Sequence, residues 1–254
     1  MTESSFTLAG RTALVAGASA GIGARFARTL AQAGARVALG ARRVEKVEAL
    51  AREIGDGAMA VELDVADEAS VIAAYDSVEA RFGTVDSIAC NAGVGTGGRA
   101  TDVPIDGLRS VFDTNLLGTY LVAREGAKRL IAAGSAQSEK GRIVLIGSTT
   151  ALRAGMGDSA YAATKAGIEH LGRNLAREWI RQGINVNVIH PGMIPSEANA
   201  DWFASERGKA NIAEQHRRRL LEEDALDPML LYFLSDASRQ VTGTHITIDD
   251  GQSL

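Results

Sequence analysis

A doubly wound α/β fold is predicted by three features of this chain: a mainly parallel seven-stranded sheet with helices on both faces. Short β-rich runs alternate with longer helical patterns along its length, the signature of βαβ units joined by right-handed crossovers. Several of the runs are apolar throughout rather than alternating, as in IVLI at 143–146, which suits strands covered on both sides. The 254 residues, 46% of them hydrophobic, are enough for one large α/β domain or two small ones with a sizeable core. No linker, solenoid-length repeat or low-complexity tract interrupts the chain.

The elements follow in order. RTALVAG (11–17) reads as the first strand. The helix at 22–34 puts Phe26, Leu30 and Ala33 on one face and ends at Gly34. A strand at 35–41 leads to a helix at 44–55, a strand at 58–65 and a helix at 67–83. The fourth strand is 85–93. Residues 105–133 read as one helix with Gly107, Gly118 and Gly126 as weak points. GSAQSEKG (134–141) reads as a polar surface turn before the fifth strand, 141–148. A long helix at 160–183, a sixth strand at 184–192 and a seventh at 245–251 complete the pattern. Residues 195–228 are charged, helical in pattern and hold no strand.

Composition excludes several classes of function. A net charge of −4 argues against a nucleic-acid surface. No apolar run approaches the roughly 18 residues that a membrane span needs, and MTESSFTLAG lacks the basic and apolar regions of a signal peptide. Cys90 is the single cysteine, which rules out an intrachain disulfide and fits a reducing compartment. A cytoplasmic protein is expected, with no metal site.

The stretch AGASAGIG (16–23) places Gly17, Gly21 and Gly23 between the first strand and the first helix. Glycine permits the tight turn and leaves bare backbone beside the N–H groups of a helix N-terminus, a geometry suited to a diphosphate. The spacing is G-x-x-x-G-x-G rather than the commoner G-x-G-x-x-G, and a purely structural turn is the alternative. Tyr161 and Lys165 stand at i and i+4, on one face of a helix. A free tyrosine, with a pKa near 10, is a poor acid or base at neutral pH. A neighbouring ammonium is expected to lower that value and let the phenol exchange a proton with a substrate oxygen. Ser148 closes an apolar strand thirteen residues earlier. It stands at the carboxyl end where open α/β sheets bind ligands, and its hydroxyl can steady a developing charge.

Gly17-x-x-x-Gly21-Ile22-Gly23, Asn91-Ala92-Gly93, Ser148, Tyr161-x-x-x-Lys165 and Pro191-Gly192, in this order and on the expected elements, resemble the short-chain dehydrogenase/reductase family from about residue 8 to residue 251. The resemblance implies a single Rossmann-type domain over 1–254, a nicotinamide cofactor and hydride transfer between an alcohol and a carbonyl. It implies that Ser148, Tyr161, Lys165 and Asn115 form the catalytic set, with Asn115 bending its helix and holding a water that links the lysine to solvent. It further implies that Asn91, Ala92 and Gly93 line the cofactor and tie the sheet, that Asp64 and Val65 meet the adenine, and that Pro191, Gly192, Met193 and Ile194 meet the nicotinamide. Ser196 stands where threonine is common. Cys90 replaces a frequent asparagine and reads as a small buried residue. The family's usual assembly is a tetramer through the helices near 105–133 and 160–182 and the C-terminal strand. Asp249-Asp250-Gly251-Gln252 departs there from the usual Asp-Gly-Gly.

The cofactor expected is NADP(H). The second strand ends in Gly40-Ala41 with no carboxylate to hold a ribose, and Arg42-Arg43 follow. Arg42 can bind a phosphate and stack on adenine, with Ser19 adding a hydroxyl. The segment 195–228 stands where the family has its substrate lid. Trp202 and Phe203 suggest an apolar wall over a hydrophobic ketone. His216 and the Arg217–Arg219 run, flanked by acids, read as a solvated helix with internal ion pairs. Ala154, Gly155, Met156 and Gly157 are expected along the pocket, leaving room for a bulky substrate. The alternatives are a 3-oxoacyl-thioester reductase, which needs a basic surface for a carrier phosphate, and a non-catalytic NADP-binding regulator.

Overall fold

The computed structural model of the chain describes residues 6–197 and 199–254. Seven strands form one parallel sheet: β1 (Thr12–Ala16), β2 (Arg36–Ala41), β3 (Ala58–Glu62), β4 (Ser87–Cys90), β5 (Gly141–Ile146), β6 (Ile184–Pro191) and β7 (His245–Ile248). Their order is β3-β2-β1-β4-β5-β6-β7. The chain therefore winds outward from β1 to β3, returns to β4 and winds outward the other way. The reversal leaves a crevice beyond the carboxyl ends of β1 and β4, where Ala16 stands in register with Gly40 on one side and Cys90 on the other.

The helices are α1 (Gly21–Gln32), α2 (Val44–Ile54), α3 (Glu68–Phe82), α4 (Ile105–Phe112), α5 (Gly118–Ala132), α6 (Ser135–Ser138), α7 (Ser159–Trp179), α8 (Ala200–Ala204), α9 (Glu206–Glu214) and α10 (Asp227–Leu234). Successive strand residues feed opposite layers. Leu14 and Ala16 join Tyr75 and Val78 of α3, Val122 of α5 and Ile168 of α7. Ala13 and Val15 join Phe26 and Leu30 of α1, Leu50 of α2 and Phe233 of α10. Among the described residues no helix is long and apolar enough to cross a membrane.

The structure corrects several boundaries. The helix expected at 105–133 is broken by a π turn at Asp113–Leu117. Gly118 and Gly126 are not weak points but points of close approach: a Cβ on Gly118 would lie 2.6 Å from Val65 Cγ2, and one on Gly126 would lie 2.2 Å from Ile88 Cδ1. The turn expected at 134–141 contains the one-turn helix α6. The strands read as 58–65 and 85–93 stop at Glu62 and Cys90, because their last residues turn away as cleft-lining loops. Helix α10 was not expected. Its sequence DPMLLYFL is nearly unbroken in apolar residues and so lacks helical periodicity; it is anchored on α1 by Asp227, 2.6 Å from Arg25 Nη2.

Candidate active site

A cleft of about 650 Å³ opens at the reversal point of the sheet. One end begins at the glycine turn. Gly17 and Gly21 have φ of +88° and +52°, values that glycine adopts without strain. Gly23 serves packing instead. It is buried and does not line the cleft; a Cβ there would stand 2.0 Å from the Gly17 carbonyl oxygen and 2.6 Å from Asn91 Nδ2. Asn91 Nδ2 donates to that same carbonyl at 3.0 Å, tying the end of β4 to the turn. Helix α1 has no side-chain cap at Ala20, and Ser19, Ala20, Gly21 and Ile22 line the cleft. Its first N–H groups thus border the opening, a geometry suited to an anion.

The same end is basic. Arg42 and Arg43 both line the cleft and are exposed. Arg43, rather than Arg42, is fixed to the glycine turn: its Nη2 donates to Ser19 Oγ at 2.8 Å. Asp64 and Val65 form the opposing rim. One Asp64 carboxylate oxygen accepts from the Ala66 N–H at 3.0 Å, whereas Asp67 is the residue that caps α3.

At the other end Ser148, Tyr161 and Lys165 share the wall with Ala92, Gly93, Pro191, Gly192, Ile194 and Ser196. Ser148 follows β5 at the start of a tight turn. Its Oγ accepts from Thr150 N at 3.2 Å and Thr150 Oγ1 at 3.0 Å, so its own hydroxyl hydrogen is free for another partner. Lys165 is buried, and its Nζ donates to the Ile146 carbonyl at 2.8 Å. Burial lowers its pKa to about 8. The phenol of Tyr161 moves opposite to the direction expected from Lys165 alone. Burial pushes the Tyr161 phenol up, the Ser148 hydroxyl partly opposes this, and Asp158 adds to the rise. The ammonium lies 5.5 Å from the ring centroid and is directed at β5.

Asn115 sits in the π turn, fully buried and off the cleft surface. Its Oδ1 accepts from Val94 N–H at 2.8 Å, and its Nδ2 donates to Val94 O at 2.9 Å and to Thr164 Oγ1 at 3.1 Å. It therefore braces the loop after β4 against α7. Cys90 is buried, and burial pushes its thiol up to about 12, which removes it as a nucleophile at neutral pH.

Two expectations about the mouth are corrected. Ala154, Gly155, Met156 and Gly157 do not line the cleft, and Met156 is 91% exposed. Within the 195–228 segment, helix is confined to α8 and α9, ending at Glu214, and resumes only at Asp227 with α10. Lys209–Glu206 is an internal ion pair, but Arg217 and Arg219 reach Asp250 at 3.1 and 2.8 Å. Both arginines thus reach across to the C-terminal segment rather than pairing with the neighbouring acids. Phe203 lines the cleft, while Trp202 packs edge-on against it at 5.1 Å.

Behind the lining, Gln252, which the sequence marked only as a departure from the usual glycine, and His190, which it did not single out, support the wall. Gln252 Oε1 accepts from the Met193 N–H at 2.7 Å, so the residue replacing the usual glycine holds the loop after β6. His190, fully buried on β6, sets its Nδ1 3.1 Å from Ser148 N and 3.0 Å from Ser148 O. Gly147 makes room for that ring; a Cβ there would lie 2.3 Å from Nδ1. A histidine immediately before Pro-Gly was the only available signal.

Residues 17–253 match the family model described as enoyl-(acyl carrier protein) reductase. The chain belongs to the short-chain dehydrogenase/reductase family. It is 34% identical over 252 residues to a D-threitol dehydrogenase of Mycolicibacterium smegmatis, covering 98% of this chain and 95% of that one. It is 32% identical over 244 residues to a 3-alpha-(or 20-beta)-hydroxysteroid dehydrogenase of Mycobacterium tuberculosis, covering 96% and 90%. Among solved structures, a gluconate 5-dehydrogenase from Burkholderia cenocepacia in complex with NADP and tartrate superposes with a TM-score of 0.92 at 32% identity, covering 100% of this chain and 99% of that one. The short-chain dehydrogenase is thus an oxidoreductase.

Proposed function

We propose that this enzyme interconverts a secondary alcohol and a hydrophobic or bulky ketone with NADP(H). The observation that supports this best is the convergence on one cleft of Ser148, Tyr161 and Lys165 with the uncapped end of α1 and two arginines. NADPH, when bound, supplies the hydride to the ketone carbon. Tyr161, kept as a phenol by burial, gives its proton to the ketone oxygen. Ser148, whose Oγ already accepts from Thr150, donates its free hydroxyl hydrogen to that same oxygen. Lys165 stabilises the phenolate left behind and orients the ribose. Asn115 positions this group through Val94 and Thr164. Val94, Met193 and Phe203 give the reacting end apolar walls, and the 195–228 segment acts as the substrate lid.

The NADP preference rests on Arg42 and Arg43 beside a strand end without a carboxylate. Arg43, held by Ser19, joins Arg42 in binding the 2′-phosphate. A homotetramer is proposed through α4, α5 and α7. Phe112, Leu117 and Tyr120 are 39%, 45% and 41% exposed there and line a shared apolar groove with Leu116 and Leu171. The lone buried Cys90 suits a reducing cytoplasm.

Initial rates with NADPH and NADH against aliphatic, aryl and bulky diaryl ketones and a 3-oxoacyl thioester test the reading. NADPH is expected to be preferred over NADH. Arg42→Ala is expected to raise the KM for NADPH by about tenfold, equivalent to one charged hydrogen bond, with little change for NADH. Preference for NADH would overturn the cofactor reading. Turnover confined to the thioester would assign a 3-oxoacyl reductase. Tight NADPH binding without turnover of any carbonyl would assign a regulator.

A further inference from the structure

Outside the cleft, three metal-capable side chains converge where α7, β6 and β7 meet. Glu169 comes from α7, His190 from β6 and His245 from the first residue of β7. Their ligand atoms all lie within 4.8 Å of one another. Glu169 Oε1 is 2.9 Å from His245 Nδ1, and Glu169 Oε2 is 3.5 Å from His190 Nε2. The two imidazoles meet edge-on with centroids 5.5 Å apart.

A second observation points to a ligand. His190 is fully buried, yet among the described residues its Nε2 has no hydrogen-bond partner. That atom faces the Glu169 carboxylate from beyond ordinary N–H···O length, and orphaned buried polar atoms call for an explanation. The opposite ring nitrogen lies 3.0 Å from the Ser148 carbonyl oxygen. The same Nδ1 lies 3.1 Å from the Ser148 N–H, which donates to it in the other tautomer; with Nδ1–H donated to the carbonyl the Nε2 lone pair is free, the usual arrangement of a ligating histidine, and metal binding selects that form. Two imidazoles and one carboxylate suit zinc and its neighbours, with a further position left for water.

The competing cation is Arg173. Its Nη2 lies 3.0 Å from Glu169 Oε1 and 3.2 Å from His245 Nδ1. Its side chain is 55% exposed, so it can swing into solvent at the loss of one exposed ion pair. We propose that Glu169, His190 and His245 bind a divalent transition-metal ion of the zinc class, with Arg173 displaced on binding. The site ties α7 to the two strands at that edge of the sheet. Through His190 it touches the backbone of Ser148, but it does not depend on the hydride-transfer reading.

The test is titration of tag-free, full-length protein with Zn²⁺ in a non-chelating buffer, followed by calorimetry and by thermal unfolding. The expected result is one ion per chain, a Kd on the order of micromolar and a raised Tm. His245→Ala and Glu169→Gln are each expected to weaken binding by more than about tenfold. Arg173→Ala is expected to tighten it by about threefold, the value of an exposed ion pair. His216→Ala, a histidine outside the cluster, is expected to leave Kd unchanged. The proposal is overturned if no saturable binding occurs below about 100 µM. It is equally overturned if His245→Ala or Glu169→Gln binds like the parent, if Arg173→Ala binds no tighter, or if His216→Ala abolishes binding.

Discussion

Tyr161 and Lys165 respond to burial in opposite senses, because a low-dielectric surrounding disfavours whichever form carries charge. The phenol is pushed up and the ammonium is pushed down to about 8. The lysine effect has a sign that can be tested. Its folded pKa of about 8 lies below its ordinary value of 10.5, so between these values the unfolded chain binds the extra proton. Stability relative to Lys165→Met should therefore rise with pH from about 8 to 10.5, by up to about 3 kcal/mol, read from urea midpoints. A flat difference would show that the ammonium is not desolvated. Tyr161→Phe should lower kcat by about 10²- to 10⁴-fold while NADPH still binds, since the ring and Lys165 remain. The i, i+4 pairing of these residues was legible in the sequence. That burial raises the phenol was not, because it depends on how the tertiary structure encloses Tyr161.

At the scale of elements, the glycine turn joins two requirements. Gly17 and Gly21 supply positive φ, while Gly23 allows α1 to start against the Gly17 carbonyl and Asn91. Gly23→Ala should destabilise the fold by about 1–3 kcal/mol, the usual range for overpacking, and should also weaken NADPH binding. Denaturant unfolding and cofactor fluorescence measure both. An unchanged stability would mean that the turn relaxes around the added methyl. The π turn at Asp113–Leu117 likewise turns Asn115 inward to Val94 and Thr164. The sequence marked Asn115 as a helix-distorting polar residue, but the form of the distortion came from contacts made by other elements. Helix α10 was invisible to periodicity because Met229, Leu231 and Tyr232 on its part-buried side are as apolar as Leu230, Phe233 and Leu234 on its buried one.

At the scale of the whole molecule, the apolar groove on α4, α5 and α7 bears on assembly. Phe112, Leu117 and Tyr120 make a contiguous exposed patch of the kind that marks protein contacts. Leu117→Lys should convert the assembled species to a smaller one in size-exclusion chromatography with light scattering, with little change in monomer stability. A parent that elutes as a monomer would remove the tetramer. The segment from 195 to 228 also belongs to this scale. Arg217 and Arg219 pair with Asp250 rather than within the helix, and Gln252 fixes the loop after β6, so the C-terminus supports one wall of the cleft.

The chain by itself determined the strands and their parallel arrangement, which rest on local pattern that propensity translates directly; Ser148, Tyr161 and Lys165 were marked as candidates by the family resemblance, and the fold brings them to one wall of the cleft. Only the tertiary structure decided the role of His190 behind Ser148, the fixing of Arg43 by Ser19, the hold of Gln252 on Met193 and the meeting of Glu169, His190 and His245. These contacts join residues 21 to 76 positions apart, and no local period encodes which of them folding will bring together.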